Sequence, residues 1–128
     1  MPKSKFTGNK KVEMEVNGFT LQADLPKEGF GGDNSAPDPM ALLQAALLSC
    51  ASIHALFFID KINYPKEKVT LELKPVFNEN GDITKASILI YVPADFPQDK
   101  EKLLISIVEN CKVGTHVKFP REIIIVRH

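Results

Sequence analysis

DPMALLQAALLSCASIHALFFIDKI, residues 38–62, is the stretch that decides the fold. Asp38-Pro39 is a helix start: an aspartate at the N-cap accepts from free backbone N–H groups, and proline suits the first helical position. The pattern from Met40 to about Ile62 then predicts one long helix, ended by Tyr64-Pro65. Leu42, Leu43, Ala45, Ala46, Leu47 and Leu48 leave it almost no polar face. A helix apolar all round is expected to be buried all round. In a small chain, that asks for sheets around the helix and for a second subunit over one side. A membrane span needs ~20 nearly continuous apolar residues. Gln44, Ser49, Cys50, Ser52 and His54 interrupt this run, which therefore reads as a core helix.

Working outward, residues 26–39 form a long loop with Gly29, Gly31, Gly32, Asp33, Asn34, Ser35 and three prolines, a length that often marks function. Upstream, Val12, Met14 and Val16 alternate with glutamates, Asn17-Gly18 follows, and Phe19, Leu21 and Ala23 alternate again. Asn-Gly favours a type I′ hairpin turn. Folding about it pairs Val16 with Phe19, Met14 with Leu21 and Val12 with Ala23 on one face. Downstream, residues 69–74 alternate as a strand, Asn80-Gly81 marks a second hairpin turn, and Ile83 to Val92 is the return strand. Residues 100–111 have helical spacing through Leu103, Leu104, Ile107, Val108 and Cys111, and residues 123–126 close as a strand. Residues 113–119 carry no clear pattern.

The 128 residues predict a single domain over 1–128. Sixteen basic side chains balance sixteen acidic ones. Zero net charge gives no electrostatic case for nucleic acid or an anionic membrane as partner. The N-terminus is basic but leads into no apolar stretch, so it does not read as a secretory signal. A cytoplasmic setting is expected, where two cysteines stay reduced or do redox work.

Cys50 lies within the long helix and Cys111 at the end of the second. Free cysteine often just packs, but three features point to chemistry. Ser49 and Ser52 flank Cys50, and a hydroxyl there either donates to a thiolate or satisfies a helical carbonyl. His54 is four residues on, on the same face, where an imidazolium can lower a thiol pKa. The alternative is a histidine with a backbone partner. Cys111 sits beside Lys112 and Gly114. A zinc site from Cys50, His54, Cys111 and His116 lacks finger spacing. A cysteine hydrolase lacks a named orienting group and oxyanion hole. No metal and no cofactor is expected.

The run from Gly31-Gly32-Asp33-Asn34-Ser35-Ala36-Pro37-Asp38-Pro39 through Leu42-Leu43, Ala45-Ala46 and Cys50 resembles the loop and central-helix motif of the OsmC/Ohr family (osmotically inducible protein C and organic hydroperoxide resistance proteins). Glu109-Asn110-Cys111-Lys112-Val113 resembles its second motif, with Lys112 where proline is common. The resemblance runs from Val12 over nearly all the chain. It implies an α+β fold with antiparallel sheets wrapped around a long buried central helix in an intertwined homodimer. It also implies reduction of organic hydroperoxides, with Cys50 as peroxidatic and Cys111 as resolving cysteine. A dithiol reductant, such as a dihydrolipoyl protein, would reset the pair. His54 and Ser49 are candidates for activating the thiol.

Two positions depart from that pattern. Met40 stands where the family's peroxidases carry a glutamate, and no arginine precedes Arg121. A lysine there cannot form arginine's fork, and the sequence does not bring Arg121 or Arg127 to the thiol. The chain thus resembles the OsmC-like branch more than the Ohr branch proper. The alternative function is a non-enzymatic dimer that binds a small apolar or electrophilic ligand or senses oxidants.

Overall fold

Asn17 and Gly18 take φ angles of 51° and 83°, the left-handed pair a type I′ turn requires. The turn joins β2 (Val12–Val16) to β3 (Phe19–Ala23). Val16 pairs with Phe19, Met14 with Leu21 and Val12 with Ala23, the register expected from the alternation. A further strand, β1 (Lys3–Phe6), pairs antiparallel with β2. It is polar, short and exposed throughout, so no burial pattern announces it.

The computed structural model describes residues 1–128. The chain divides into two compact units, Met1–Ala45 and Ala46–His128, with the boundary inside the long helix α1 (Pro39–Lys61). In the first unit the loop after β3 closes on Asp24. Its carboxylate accepts from the Leu25 N–H at 2.7 Å, the Ser35 N–H at 3.0 Å and the Ser35 hydroxyl at 2.6 Å. These bonds, led by Ser35, hold the carboxyl down at about 2. Gly32 donates its N–H to the Pro26 carbonyl. A Cβ on Gly32 would lie 2.5 Å from the Leu25 carbonyl carbon, so no other residue fits there without moving backbone.

α1 begins as the sequence predicts: the Asp38 carboxylate accepts from the Ala41 N–H at 2.7 Å. Its end is set earlier than Pro65. Asn63 takes φ 54°. Its N–H bonds the Asp60 carbonyl and that of Tyr64 bonds the Ile59 carbonyl, both at 3.1 Å, which is the Schellman arrangement.

The second unit holds the main core. α1 contributes Ala51, Ala55, Phe58 and Ile59 at helical spacing. β5 (Ile83–Val92) contributes Ile88, Ile90 and Val92 at strand spacing, its inward face as predicted. α2 (Glu101–Glu109) adds Leu104 and Val108. Burying a side chain such as Phe58 or Ile90 stabilises the fold by about 1.5–3 kcal/mol. β4 (Thr70–Phe77) pairs antiparallel with β5, whereas β6 (Arg121–Arg127) pairs with β5 parallel. The sheet is therefore mixed where antiparallel pairing is expected. The reason is connectivity: α2 carries the chain back across, and a crossover of that length brings a strand in parallel.

α1 is not covered all round. Leu47, Ala51, Ala55, Phe58 and Ile59 are buried, while Ile53, Leu56 and Phe57 are 52%, 39% and 73% exposed. One stripe packs on the chain's own sheet and the other is bare. By length and composition the 23-residue α1 could cross a membrane, but in this architecture it is the core helix.

Arg127 locks the end of β6. It pairs with Glu101 and donates to the carbonyls of Ala94 at 3.2 Å and Phe96 at 2.9 Å. Tyr64 donates to Asp95 at 2.7 Å and meets Phe96 edge to face. Burial, with Asp95 beside it, pushes the Tyr64 phenol up to about 12.

Candidate functional site: a thiol pair under an arginine

Cys50 lies half-buried on α1, and Cys111, 2% exposed, follows α2. Both are free thiols, and they are neighbours: Val113, two residues after Cys111, directs its N–H at Cys50 Sγ, and Cys50 is among the groups that raise the Cys111 thiol. α2 ends at Glu109, and the chain turns back through Cys111 and a single 3-10 turn, Gly114–His116. That turn brings backbone donors to both sulfurs. The Val113 N–H donates to Cys50 Sγ at 3.4 Å. The Gly114 N–H favours the charged form of Cys111. The balance for Cys111 still runs the other way: burial, then the neighbouring Cys50, push its thiol up, against the pull of Gly114 and Arg121.

Arg121 is the residue that the sequence does not bring to the site. From the first position of β6 its guanidinium donates to the Glu109 carbonyl at 3.3 Å and reaches Cys111 Sγ at 3.9 Å. Gly114 makes room for it. A Cβ there would overlap the Arg121 guanidinium and lie 2.7 Å from Cys111 Sγ. The sequence signal was a glycine three residues after a cysteine with an arginine ten residues on. No periodicity links them, because the chain between is turn. Around this cluster a small cavity of about 10 Å³ is lined by Leu47, Ala51, Val108, Cys111 and Arg121 among others. That is about one water's worth of space.

The other candidates go elsewhere. Ser49 donates its hydroxyl to the Ala46 carbonyl at 2.9 Å, the helix-satisfying alternative. His54 makes no hydrogen bond to Cys50. It lines a separate apolar cavity of about 530 Å³ with Phe57, Phe58, Lys61, Lys100 and Leu103. His116 is held by its own turn, its Nδ1 donating to the Lys112 carbonyl at 2.8 Å. No three His, Cys, Asp or Glu side chains converge as a metal set, so the imagined four-ligand group is not assembled. Two thiols of unequal burial, with donors aimed at each, make an arrangement suited to thiol–disulfide chemistry.

The sequence profile of a family described as OsmC-like protein matches residues 32–124. Solved structures share the whole fold. An osmotic-stress-induced and detoxification response protein assigned in Psychrobacter arcticus superposes with a TM-score of 0.82 at 17% identity, over 98% of this chain and 94% of that one. An organic hydroperoxide resistance protein of Elizabethkingia anophelis gives 0.66 at 18% identity, over 99% and 94%. An organic hydroperoxide resistance protein OsmC of Legionella pneumophila gives 0.62 at 16%, over 99% and 94%. At these identities the likeness is one of fold. Among curated proteins, no sequence matches the chain.

Proposed function

The chain belongs to the OsmC-like protein family, and from that premise we propose that it reduces organic hydroperoxides through Cys50 and Cys111. The observation that carries this reading is the meeting of the two thiols, with the Val113 N–H directed at Cys50. The names of the Elizabethkingia and Legionella structures, both organic hydroperoxide resistance proteins, support the substrate class.

Cys50 is the more accessible sulfur and takes the peroxidatic role. Its thiolate attacks the terminal peroxide oxygen, the O–O bond breaks, and the alkoxide leaves as alcohol after taking a proton from solvent. Cys50 is then a sulfenic acid. Cys111, protonated at rest because burial raises its thiol, passes its proton to the departing hydroxyl as its thiolate attacks the Cys50 sulfur. The hydroxyl leaves with the Cys111 proton as water, and the disulfide forms. A dithiol reductant, such as a dihydrolipoyl protein, restores both thiols and leaves as its own disulfide. A reducing, cytoplasmic setting suits this cycle. Residues 1–128 are read as one OsmC-like domain. A second copy of the chain covers the bare stripe of α1 around Ile53, Leu56 and Phe57 to give the homodimer. Light scattering at micromolar concentration tests that assembly, and a monomer rejects it.

The activity is tested by consumption of cumene hydroperoxide with dihydrolipoamide. Wild type turns over and Cys50→Ser does not; equal rates reject the reading. One observation favours the alternative of a ligand-binding dimer: the apolar cavity beside His54, whose volume of about 530 Å³ is that of a small-molecule site. Saturable binding of an apolar fluorescent probe, lost in Leu103→Ser and unchanged in Cys50→Ser, supports that role, and absence of binding removes it.

A further inference from the structure

We infer that Arg121 is the working cation of the thiol pair and acts on Cys111, so that a reducing thiol attacks Cys50 and Cys111 departs as the stabilised leaving group. The inference rests on the peroxidase reading for its place in a cycle, but its chemistry concerns the disulfide alone.

The geometry is one-sided. The Arg121 guanidinium reaches Cys111 Sγ at 3.9 Å. It is steadied from behind by the Glu109 carbonyl at 3.3 Å and leans on Gly114, where any side chain would displace it. Cys50 receives one backbone N–H, from Val113. Cys50 from α1 and Arg121 from β6 are the titratable groups that act on Cys111. When Cys111 carries negative charge, a half-buried guanidinium and the Gly114 N–H meet it, and charge-assisted hydrogen bonds are the strong kind. Accessibility points the same way: an incoming thiol meets half-buried Cys50 before buried Cys111.

The step balances. A reductant thiolate attacks Cys50 Sγ, forming a new S–S bond as the Cys50–Cys111 bond breaks, and the electron pair stays on Cys111 as thiolate beside Arg121. The reductant's second thiol, deprotonated, attacks its own sulfur of the mixed disulfide. Cys50 leaves as thiolate, and the reductant ends as a cyclic disulfide. Rates of such exchange rise as the leaving thiol becomes more acidic, so Arg121 sets both speed and direction. The same guanidinium serves the oxidative half, when Cys111 must give up its proton to attack the Cys50 sulfenic acid. Gly114 is a positioning residue here, since it touches no reductant.

Two measurements test this. Thiolate absorbance near 240 nm is titrated in Cys50→Ser, where Cys111 is the one remaining thiol, with and without Arg121→Met. An opposite charge at this range moves a thiol by about 1–3 pH units, so the midpoint should rise by roughly one unit or more when the guanidinium is lost. Gly114→Ala is the second variant, should Arg121→Met fail to fold, and should move the midpoint the same way. Lys118→Met, removing an exposed cation of the same segment, should leave it unmoved. Next, the Cys50–Cys111 disulfide is formed with diamide and reduced with dihydrolipoamide. Reduction should slow about tenfold in Arg121→Met, and a trapped monothiol adduct should map to Cys50. Equal midpoints, or an adduct on Cys111, overturn the inference. Neither readout requires peroxide turnover, so a wild type inactive toward cumene hydroperoxide rejects the peroxidase reading and leaves the role of Arg121 to be decided by these results.

Discussion

Asp24 and Cys111 are almost equally hidden, at 1% and 2% exposure, yet their acidities are displaced in opposite directions. Asp24 in the first unit receives three hydrogen bonds from its own loop, and they outweigh desolvation, so its carboxyl is charged down to about pH 2. Cys111 in the second unit has one backbone donor, one guanidinium at 3.9 Å and a second thiol, and desolvation wins. A fully furnished buried charge fixes a loop. A partly furnished one keeps a proton that chemistry can take. The glycines beside them differ in the same sense: Gly32 is pressed against Leu25 backbone, Gly114 against the movable end of Arg121 and the Cys111 sulfur.

That contrast can be broken by substitution, and the largest effect is expected at Gly32. Gly32→Ala forces a Cβ into backbone that cannot yield cheaply, at a cost of roughly 3 kcal/mol. Thermal unfolding should show a fall of about 10 °C, and an unchanged midpoint would mean the loop is not held as described. Gly114→Ala should cost less, about 1 kcal/mol, because a side chain can swing away. Its damage should appear in disulfide reduction instead.

The charge on Asp24 is sharpened by pH. Its folded pKa, about 2, lies below the ordinary 3.8. Its stabilising contribution is therefore full above about pH 4 and is lost as pH falls through about 2. Thermal midpoints of wild type should fall over that window more steeply than those of Asp24→Asn. Parallel curves would contradict the account. The smallest effect is expected at Ser49, whose hydroxyl serves the Ala46 carbonyl. Ser49→Ala should change stability by about 0.5 kcal/mol or less and leave peroxide consumption as in wild type. A large loss of rate would return Ser49 to the thiol.

What was legible in the sequence follows the same physical division. Periodicity and turn chemistry are local, so Asn17-Gly18 gave the hairpin register, Asp38-Pro39 gave the start of α1, and the alternation of Ile88, Ile90 and Val92 gave the inner face of β5. The spacing of the two cysteines and its family likeness led to both thiols. Illegible were the features made by tertiary meeting. β1 has no apolar face to show. Asp24 looks like an ordinary polar residue after a strand until Ser35, eleven positions on, folds onto it. Arg121 reaches Cys111 only because the chain turns at Gly114 and re-enters the sheet. The parallel direction of β6 depends on how α2 crosses, which strand alternation does not encode. The apolar girth of α1 foretold burial, but the chain covers one stripe and leaves the other exposed.

The central claim is that burial has brought Cys50 and Cys111 together as a working redox pair. The most direct measurement is the mass and peptide map of the reduced protein after one equivalent of cumene hydroperoxide. The account predicts loss of both free thiols within one chain, a Cys50–Cys111 linkage, and one equivalent of alcohol released. Two free thiols after the peroxide is consumed, or a Cys50 sulfenic acid that persists beside an unreacted Cys111, would contradict it.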